Sequence, residues 1–159
     1  MLGPEPTDEG MSMVSRRGLV GGAAALATAL LGGCGFGRDA LVASLEEAVS
    51  EVEGVTEATL ELKDGANFER LLAGTVSLGT QDREDALAIF DDAMRAVVTV
   101  VHDELGDAEA RSVRVGGITG VMDGGEELTP FDLDPDVQAA NPRRDRITAE
   151  SFYAKYGLD

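Results

Sequence analysis

Cys34 and His102 are the two residues best suited to nucleophilic or metal chemistry, and each is the only residue of its type in the chain. With one Cys and one His, a Cys/His zinc site cannot be assembled. A Ser-His-Asp triad needs only one His and is not excluded by count. His102 is predicted near the C-terminal end of a helix, where a cation complements the helix dipole. We therefore expect a structural His102 and no catalytic residues.

Two further stretches have parts of known binding motifs. Residues 132–136 begin like a calcium-binding loop, but the sixth position is Val137 instead of Gly and the twelfth is Arg143 instead of Glu. Residues 116–120 lack the spacing of a dinucleotide-binding loop and the Lys of a P-loop. Glycines within a strand more often mark a bulge or close packing. The sequence predicts no metal ligand and no cofactor, and weak cation binding by surface carboxylates stays open.

The position of Cys34 is more informative than its reactivity. Arg16 and Arg17 precede residues 18–31, which are uncharged and mostly apolar, and two glycines then lead to Cys34. A positive flank, a short apolar core and small residues before a cut are typical of a secretory signal peptide. The run is too short and too rich in Gly to span a bilayer, which needs about 20 predominantly apolar residues. Residues 1–33 are predicted to be this signal peptide.

The residues Leu31, Gly32, Gly33 and Cys34 resemble the lipobox of bacterial lipoproteins. The resemblance implies that a diacylglycerol is attached to the Cys34 thiol and that cleavage makes Cys34 the new N-terminus. A buried structural Cys is the alternative, but Cys34 stands where the apolar segment of a signal peptide must end.

Residues 15–19, Ser-Arg-Arg-Gly-Leu, resemble the twin-arginine export motif, although the Lys that often follows it is missing. The weakly hydrophobic run favours that route, and general secretion is the alternative. The leader before the arginine pair is acidic, which suggests that Met11 or Met13 is the true start.

The formal net charge of the chain is −17 and the sequence pI is about 4.2. Nucleic acid is excluded as a partner, because phosphate binding needs a cationic surface. The charge also argues against electrostatic docking onto anionic lipid head groups, because the acidic protein would be repelled by the bilayer. The lipid would therefore have to hold the protein at the membrane.

Periodicity predicts a helix followed by a hairpin in the first half of the chain. Apolar residues of segment 40–52 recur at helical spacing, and Gly54 ends the helix. Residues 58–63 alternate between apolar and polar, as do residues 68–78 after a turn at 64–67. Two such runs joined by a Gly/Asn-bearing loop predict a β-hairpin.

The second half begins with the strongest helix signal, residues 82–105, where Asp82 can cap the helix and acidic residues follow in its first turn. The β-branched run 97–101 could make its far end strand-like. Segment 112–122 alternates as a strand, and 127–133 returns as a short edge strand, to which Pro130 is suited.

This α-β-β-α-β-β order predicts an α+β fold, a two-layer sandwich with two helices on one face of an antiparallel sheet. Connected in this way, it would be a permuted ferredoxin-like sandwich with a short C-terminal helix. We expect a lipidated tether at 34–39, the α+β domain at 40–133 and a tail at 134–159. Residues 54–76 resemble in part the BON domain of envelope proteins.

The tail differs from the rest of the chain in character. It contains a cluster of basic residues and then three aromatic residues, and both types are enriched at interface hot spots. The favoured interpretation is that the rings dock the tail on the core; the alternative is a partner-binding segment, with these residues as its candidate contacts. The candidates are Arg143, Arg144, Arg146, Phe152, Tyr153 and Tyr156.

Together these patterns predict an exported protein, lipid-anchored at the outer face of the cytoplasmic membrane. The domain is expected to be a non-enzymatic binding or structural module of the cell envelope. Its partner would be an unidentified envelope protein or wall component. The alternatives are a small envelope enzyme and a weak cation-binding lipoprotein.

Overall fold

Two long helices and a four-stranded sheet form the framework of the protein. The computed structural model describes residues 36–66, 69–140 and 142–158, all within one compact unit. The helices are α1 Phe36–Ser50, α2 Arg83–Glu104, α3 Asp107–Ser112, α4 Pro130–Leu133, α5 Pro135–Ala140 and α6 Tyr153–Tyr156. The strands are β1 Val55–Asp64, β2 Arg70–Leu78, β3 Arg114–Met122 and β4 Glu127–Leu128, and 3-10 turns cover Arg144–Arg146 and Ala149–Phe152.

The α+β class, the α-β-β-α-β-β order and the short C-terminal helix are confirmed. No helix in the described part of the chain is both long and apolar enough to cross a bilayer.

Helix α2 has both an N-terminal cap and an apolar face, and the two features favour a helix over the same residues. The Asp82 side chain accepts hydrogen bonds from the backbone N–H groups of Glu84 and Asp85, which satisfies two donors that the helix leaves unpaired. The β-branched run 97–101, which the sequence left open as strand-like, stays helical to its end as part of the predicted helix. Val97, Val98 and Val101 are all fully buried, and this burial outweighs the modest helix propensity of valine.

The predicted hairpin of β1 and β2 is confirmed. The two strands are antiparallel, with Leu60 opposite Gly74 and Leu62 opposite Leu72. Gly54, predicted to end the first helix, has a φ of 91° between α1 and β1, a conformation that L side chains rarely adopt.

The sheet is mixed, so the prediction of a wholly antiparallel, permuted ferredoxin-like sheet is wrong in one pairing. The strand order is β1-β2-β3-β4, and β2 and β3 are parallel neighbours connected through α2. The permuted arrangement would place β4 between them. Strand β4 has only two residues, which is too short for that position. Strand β3 is largely buried on both faces, as is usual for a central parallel strand.

One local prediction is also corrected, and two short helices, α3 and α5, lie where the sequence predicted none. The predicted edge strand 127–133 ends at Leu128, because Pro130 begins α4 with Thr129 as its cap, and Pro is well accommodated in the first turn of a helix. Helix α3 follows α2 directly after Gly106. Helix α5 lies in the first part of the tail.

The tail contributes to the same hydrophobic core as the sheet and the long helices. Tail residues in that core are Val137, Ile147, Ala149, Phe152 and Tyr153. The tail also continues the sheet locally, since Thr148 forms an isolated antiparallel bridge with Arg114 of β3. Residues 134–140 and 142–158 are therefore built into the fold of the domain.

Candidate functional site

The predicted export and lipidation residues precede the described part of the chain. Arg16, Arg17, Leu31, Gly32, Gly33 and Cys34 all lie outside the described residues. The predicted tether 34–39 is corrected at its far end, because α1 already begins at Phe36. Asp39 lies in the first turn, where the helix dipole favours an anion. One terminal nitrogen of Arg38 donates to both carboxylate oxygens of Asp64, at the end of β1, at 2.7 and 2.6 Å.

The aromatic residues of the tail are part of the core. Phe152 is fully buried and Tyr153 is 5% exposed. The Phe152 ring stacks on Tyr156, with 5.7 Å between centroids and 13° between the planes. The favoured docking interpretation therefore describes these rings, and Phe152 and Tyr153 do not offer a surface to a partner in this fold.

Tyr156 joins the tail to the outer side of α2. Its hydroxyl donates to Asp91 Oδ1 at 2.8 Å, and the ammonium of Lys155 lies 2.9 Å from the same oxygen. Arg95 lies over the ring, 5.5 Å from its centroid. Burial, reinforced by the bond to the Asp91 carboxylate, raises the pKa of the Tyr156 phenol far above its usual range.

The surroundings of Tyr153 differ from those of Tyr156. Its ring lies between His102, in a T-shaped contact at 5.4 Å, and the guanidinium of Arg111 at 5.3 Å. Its hydroxyl is buried and has no hydrogen-bond partner among the described residues. Desolvation raises the pKa of this phenol as well.

The two tyrosines give a matched prediction. Tyr156→Phe should lower the free energy of unfolding by about 1.5 kcal/mol, the low end for a hydrogen bond to a charged group. Tyr153→Phe should be neutral or stabilising, because the hydroxyl that it removes is buried without a partner. Urea denaturation at pH 7 measures both, and equal losses in the two variants would contradict these contacts.

The pH dependence of the Tyr156 contribution has a defined sign. The folded state favours the neutral phenol, so the stabilisation is complete below the unfolded pKa of about 10 and declines as the pH rises beyond it. The difference between wild type and Tyr156→Phe should accordingly shrink above pH 10.

The three arginines of the tail differ in their surroundings. Arg144 is partly buried and fastens the tail to β3: Nε donates to the Gly116 carbonyl at 2.6 Å and a terminal nitrogen donates to Thr119 Oγ1 at 2.7 Å. Arg143 pairs with Asp145 at 3.1 Å, and this hydrogen bond lowers the pKa of the Asp145 carboxyl. Arg143 and Arg146 are exposed. They stay candidate partner contacts, whereas Arg144 has a structural role.

His102 lies in the last turn of α2, as predicted. Its Nδ1 is 2.9 Å from Asp103 Oδ1, and the ring contacts Tyr153. The imidazole thus connects the end of α2 with the tail, which is a structural role.

The carboxylates of segment 132–136 cap helices. Asp132 Oδ2 accepts from the backbone N–H and the hydroxyl of Thr129, at 2.8 and 2.9 Å, and Oδ1 contacts Arg83 at 2.8 Å. Asp134 accepts from the backbone N–H of Asp136 at 2.8 Å. Within the described ranges, no group of three or more His, Cys, Asp or Glu residues is placed to hold a metal ion.

The glycine cluster of β3 marks a bulge and a close approach of two chain segments. The register with β2 shifts between Leu71 and Ala73, opposite Arg114 and Gly117. A Cβ atom on Gly116 would overlap the carbonyl oxygen of Arg144. The structural interpretation of these glycines is therefore confirmed.

Charge is distributed unequally between two parts of the fold. The distribution is not evident from the sequence, because each part combines segments that are far apart along the chain. We define the basal end as residues 36–40, 61–71, 102–116 and 143–150. Its described residues include eight basic and ten acidic ones, for a net charge of −2. The rest of the described chain, the acidic body, has three basic and sixteen acidic residues, for a net charge of −13.

Ion pairs connect the segments of the basal end. Arg38 of α1 contacts Asp64 at 2.6 Å, and Arg70 of β2 contacts Glu109 of α3 at 2.6 Å. Arg111 of α3 contacts Glu150 of the tail at 2.9 Å. The start of α1, the hairpin end of β1 and β2, α3 and residues 143–150 of the tail therefore lie at one end of the molecule.

Two open grooves are lined by residues outside the tail. One, of about 330 Å³, lies between α1 and β1 and is lined by Arg38, Val42, Glu46 and Leu60, among others. The other, of about 480 Å³, lies at the far end of the sheet beside Gly54, Asp85, Ile89 and Asp92. The second groove belongs to the acidic body.

No model of a known protein family matches the chain, and no curated protein matches it significantly in sequence. The resemblances to a lipoprotein signal and to the BON domain therefore stay predictions.

Proposed function

We propose that the protein is exported, lipidated on Cys34 and anchored at the outer face of the cytoplasmic membrane, where its domain is a non-enzymatic binding or structural module. The observation that carries this proposal is the order of the arginine pair, the apolar run 18–31 and the Leu-Gly-Gly-Cys sequence. The proposed route is twin-arginine export, because the run is short and weakly hydrophobic. The proposed partner is an envelope protein or a wall component.

The placement of α1 is compatible with an anchor at Cys34. The helix begins two residues after this Cys, and two residues extend at most about 7 Å. Acyl chains on Cys34 would therefore lie next to the folded domain. Two or three acyl chains anchor a protein stably, whereas one binds only marginally.

Three titratable side chains make contacts that stabilise the fold, and this supports a binding or structural module. His102 connects α2 to the tail, Asp132 caps α4 and Asp91 holds Tyr156. Each of these groups has a structural task in the fold, so the enzyme alternative would have to draw on other residues.

Cys34→Ser tests the anchor. Labelled palmitate should be incorporated into the wild-type protein in cells and not at all into the variant, because the acyl-bearing thiol is gone. Gly37→Ser is the matched control: it introduces a serine nearby, and a Cβ there meets no other atom within 4 Å. Gly37→Ser should label and fractionate with the membrane like the wild type. Equal labelling and membrane association of Cys34→Ser would refute the proposal.

A further inference from the structure

We propose that the anchored domain stands on the membrane with its basal end against anionic phospholipid head groups and its acidic body directed outward. This orientation rests on the proposed lipidation of Cys34. The occupant of the basal end would be the bilayer surface itself. The net charge of the whole chain argues against attraction to such a surface, but the distribution of the charge specifies which end can approach it.

The first step is covalent geometry. Helix α1 begins at Phe36 and runs away from the basal end, where Arg38 contacts Asp64. An anchor two residues earlier therefore attaches to the domain at the basal end, within about 7 Å of the first turn.

The second step is the separation of charge along the molecule. The 22 residues of α2 run from the acidic body to the basal end and span about 33 Å at 1.5 Å per residue. The Debye length at physiological ionic strength is about 8 Å. With the basal end at the bilayer, most of the −13 charge of the acidic body lies beyond the range of the surface potential. The inverted orientation would bring that charge into range.

The third step is the accessibility of the basic side chains. Those of Lys63 and Arg143 are 59% and 60% exposed, and those of Arg38 and Arg111 are 39% and 44% exposed. Basic side chains near an anionic surface are attracted within a Debye length. Although paired with neighbouring carboxylates, these exposed cations offset most of the acidic charge of the basal end, so an anionic surface repels this end less than it repels the acidic body.

The chain is suited to a direct test because it has one Cys and no Trp. The mature protein, residues 34–159, is coupled through Cys34 to a maleimide lipid in vesicles that contain dansyl-labelled head groups. Gly106→Trp places a fluorescent donor at the basal end, and Gly124→Trp places one in the β3–β4 turn, at the far end of the sheet. A Cβ at either glycine meets no atom within 4 Å.

On vesicles with phosphatidylglycerol, energy transfer from Gly106→Trp should exceed that from Gly124→Trp about fivefold at low salt, and the ratio should fall towards about two in 1 M salt, where the Debye length is near 3 Å. Equal transfer from both probes, or greater transfer from Gly124→Trp, would overturn the orientation.

Two matched double variants test the charge directly. Lys63→Glu with Arg143→Glu changes the basal end by four charges, and Arg83→Glu with Arg95→Glu makes the same change in the acidic body at side chains about half exposed. Only the basal pair should reduce the transfer ratio. If neither pair does, and salt leaves the ratio unchanged, the electrostatic basis of the proposal is wrong.

Because the protein is attached to the vesicles by a chemical reaction, the vesicle test does not depend on whether cells lipidate Cys34. Absence of palmitate labelling in cells would refute lipidation without altering the vesicle result. A normal lipoprotein with equal transfer from both probes would refute only the orientation.

Discussion

Replacing Phe152 with alanine is expected to lower the free energy of unfolding by about 3–5 kcal/mol, the usual cost of truncating a buried aromatic ring to a methyl group. Phe152 is fully buried, shares the core with Phe90 and stacks on Tyr156. Its removal leaves a cavity between the tail and α2. Because small domains are stabilised by only about 5–15 kcal/mol in total, the variant should be close to unfolding at moderate temperature.

Phe131→Ala is the matched control for this prediction. Phe131 also packs against the core but is only partly buried, so the same chemical change should cost clearly less. Urea denaturation followed by circular dichroism measures both. A loss for Phe152→Ala no greater than that for Phe131→Ala would mean that the tail does not contribute to the core as the structure has it.

Gly116→Ala should destabilise the protein by about 3 kcal/mol, the upper part of the usual range for overpacking. A single added methyl group would overlap the carbonyl oxygen of Arg144 and lie 3.3 Å from Ile147 Cβ. A backbone atom cannot rotate away as a flexible side chain can. The tail must therefore move off β3, which also breaks the bond from Arg144 Nε to the Gly116 carbonyl.

The measurement is thermal denaturation together with limited proteolysis of the tail. Gly124→Ala is the control, because its Cβ meets no atom within 4 Å and its φ is not positive; its melting temperature should be that of the wild type. Cleavage near Arg143–Arg146 should accelerate in Gly116→Ala alone. An unchanged melting temperature and cleavage rate in Gly116→Ala would show that the tail does not pack against β3 at this point.

Local sequence signals determined the framework of this protein. The apolar stripe of α2 and the cap at Asp82 specify a helix, and the alternation of β1 and β2 around a polar turn specifies a hairpin. These features involve residues close in sequence, so spacing alone reveals which face each element buries. The fold class follows from the order of such elements. The export and lipidation prediction is likewise a property of a short contiguous stretch.

Only the tertiary structure decided how these elements meet. The parallel pairing of β2 with β3 joins strands separated by the whole of α2, and strand pairing is not written in the periodicity of either strand. The sequence favours docking of Phe152 and Tyr153 on the core, but only the tertiary structure supplies the surface of α2 and α3 that buries them. The basal end likewise assembles eight basic residues from four separate segments. Net charge sums over the chain, whereas an electrostatic surface depends on which charges the fold brings within a Debye length of each other.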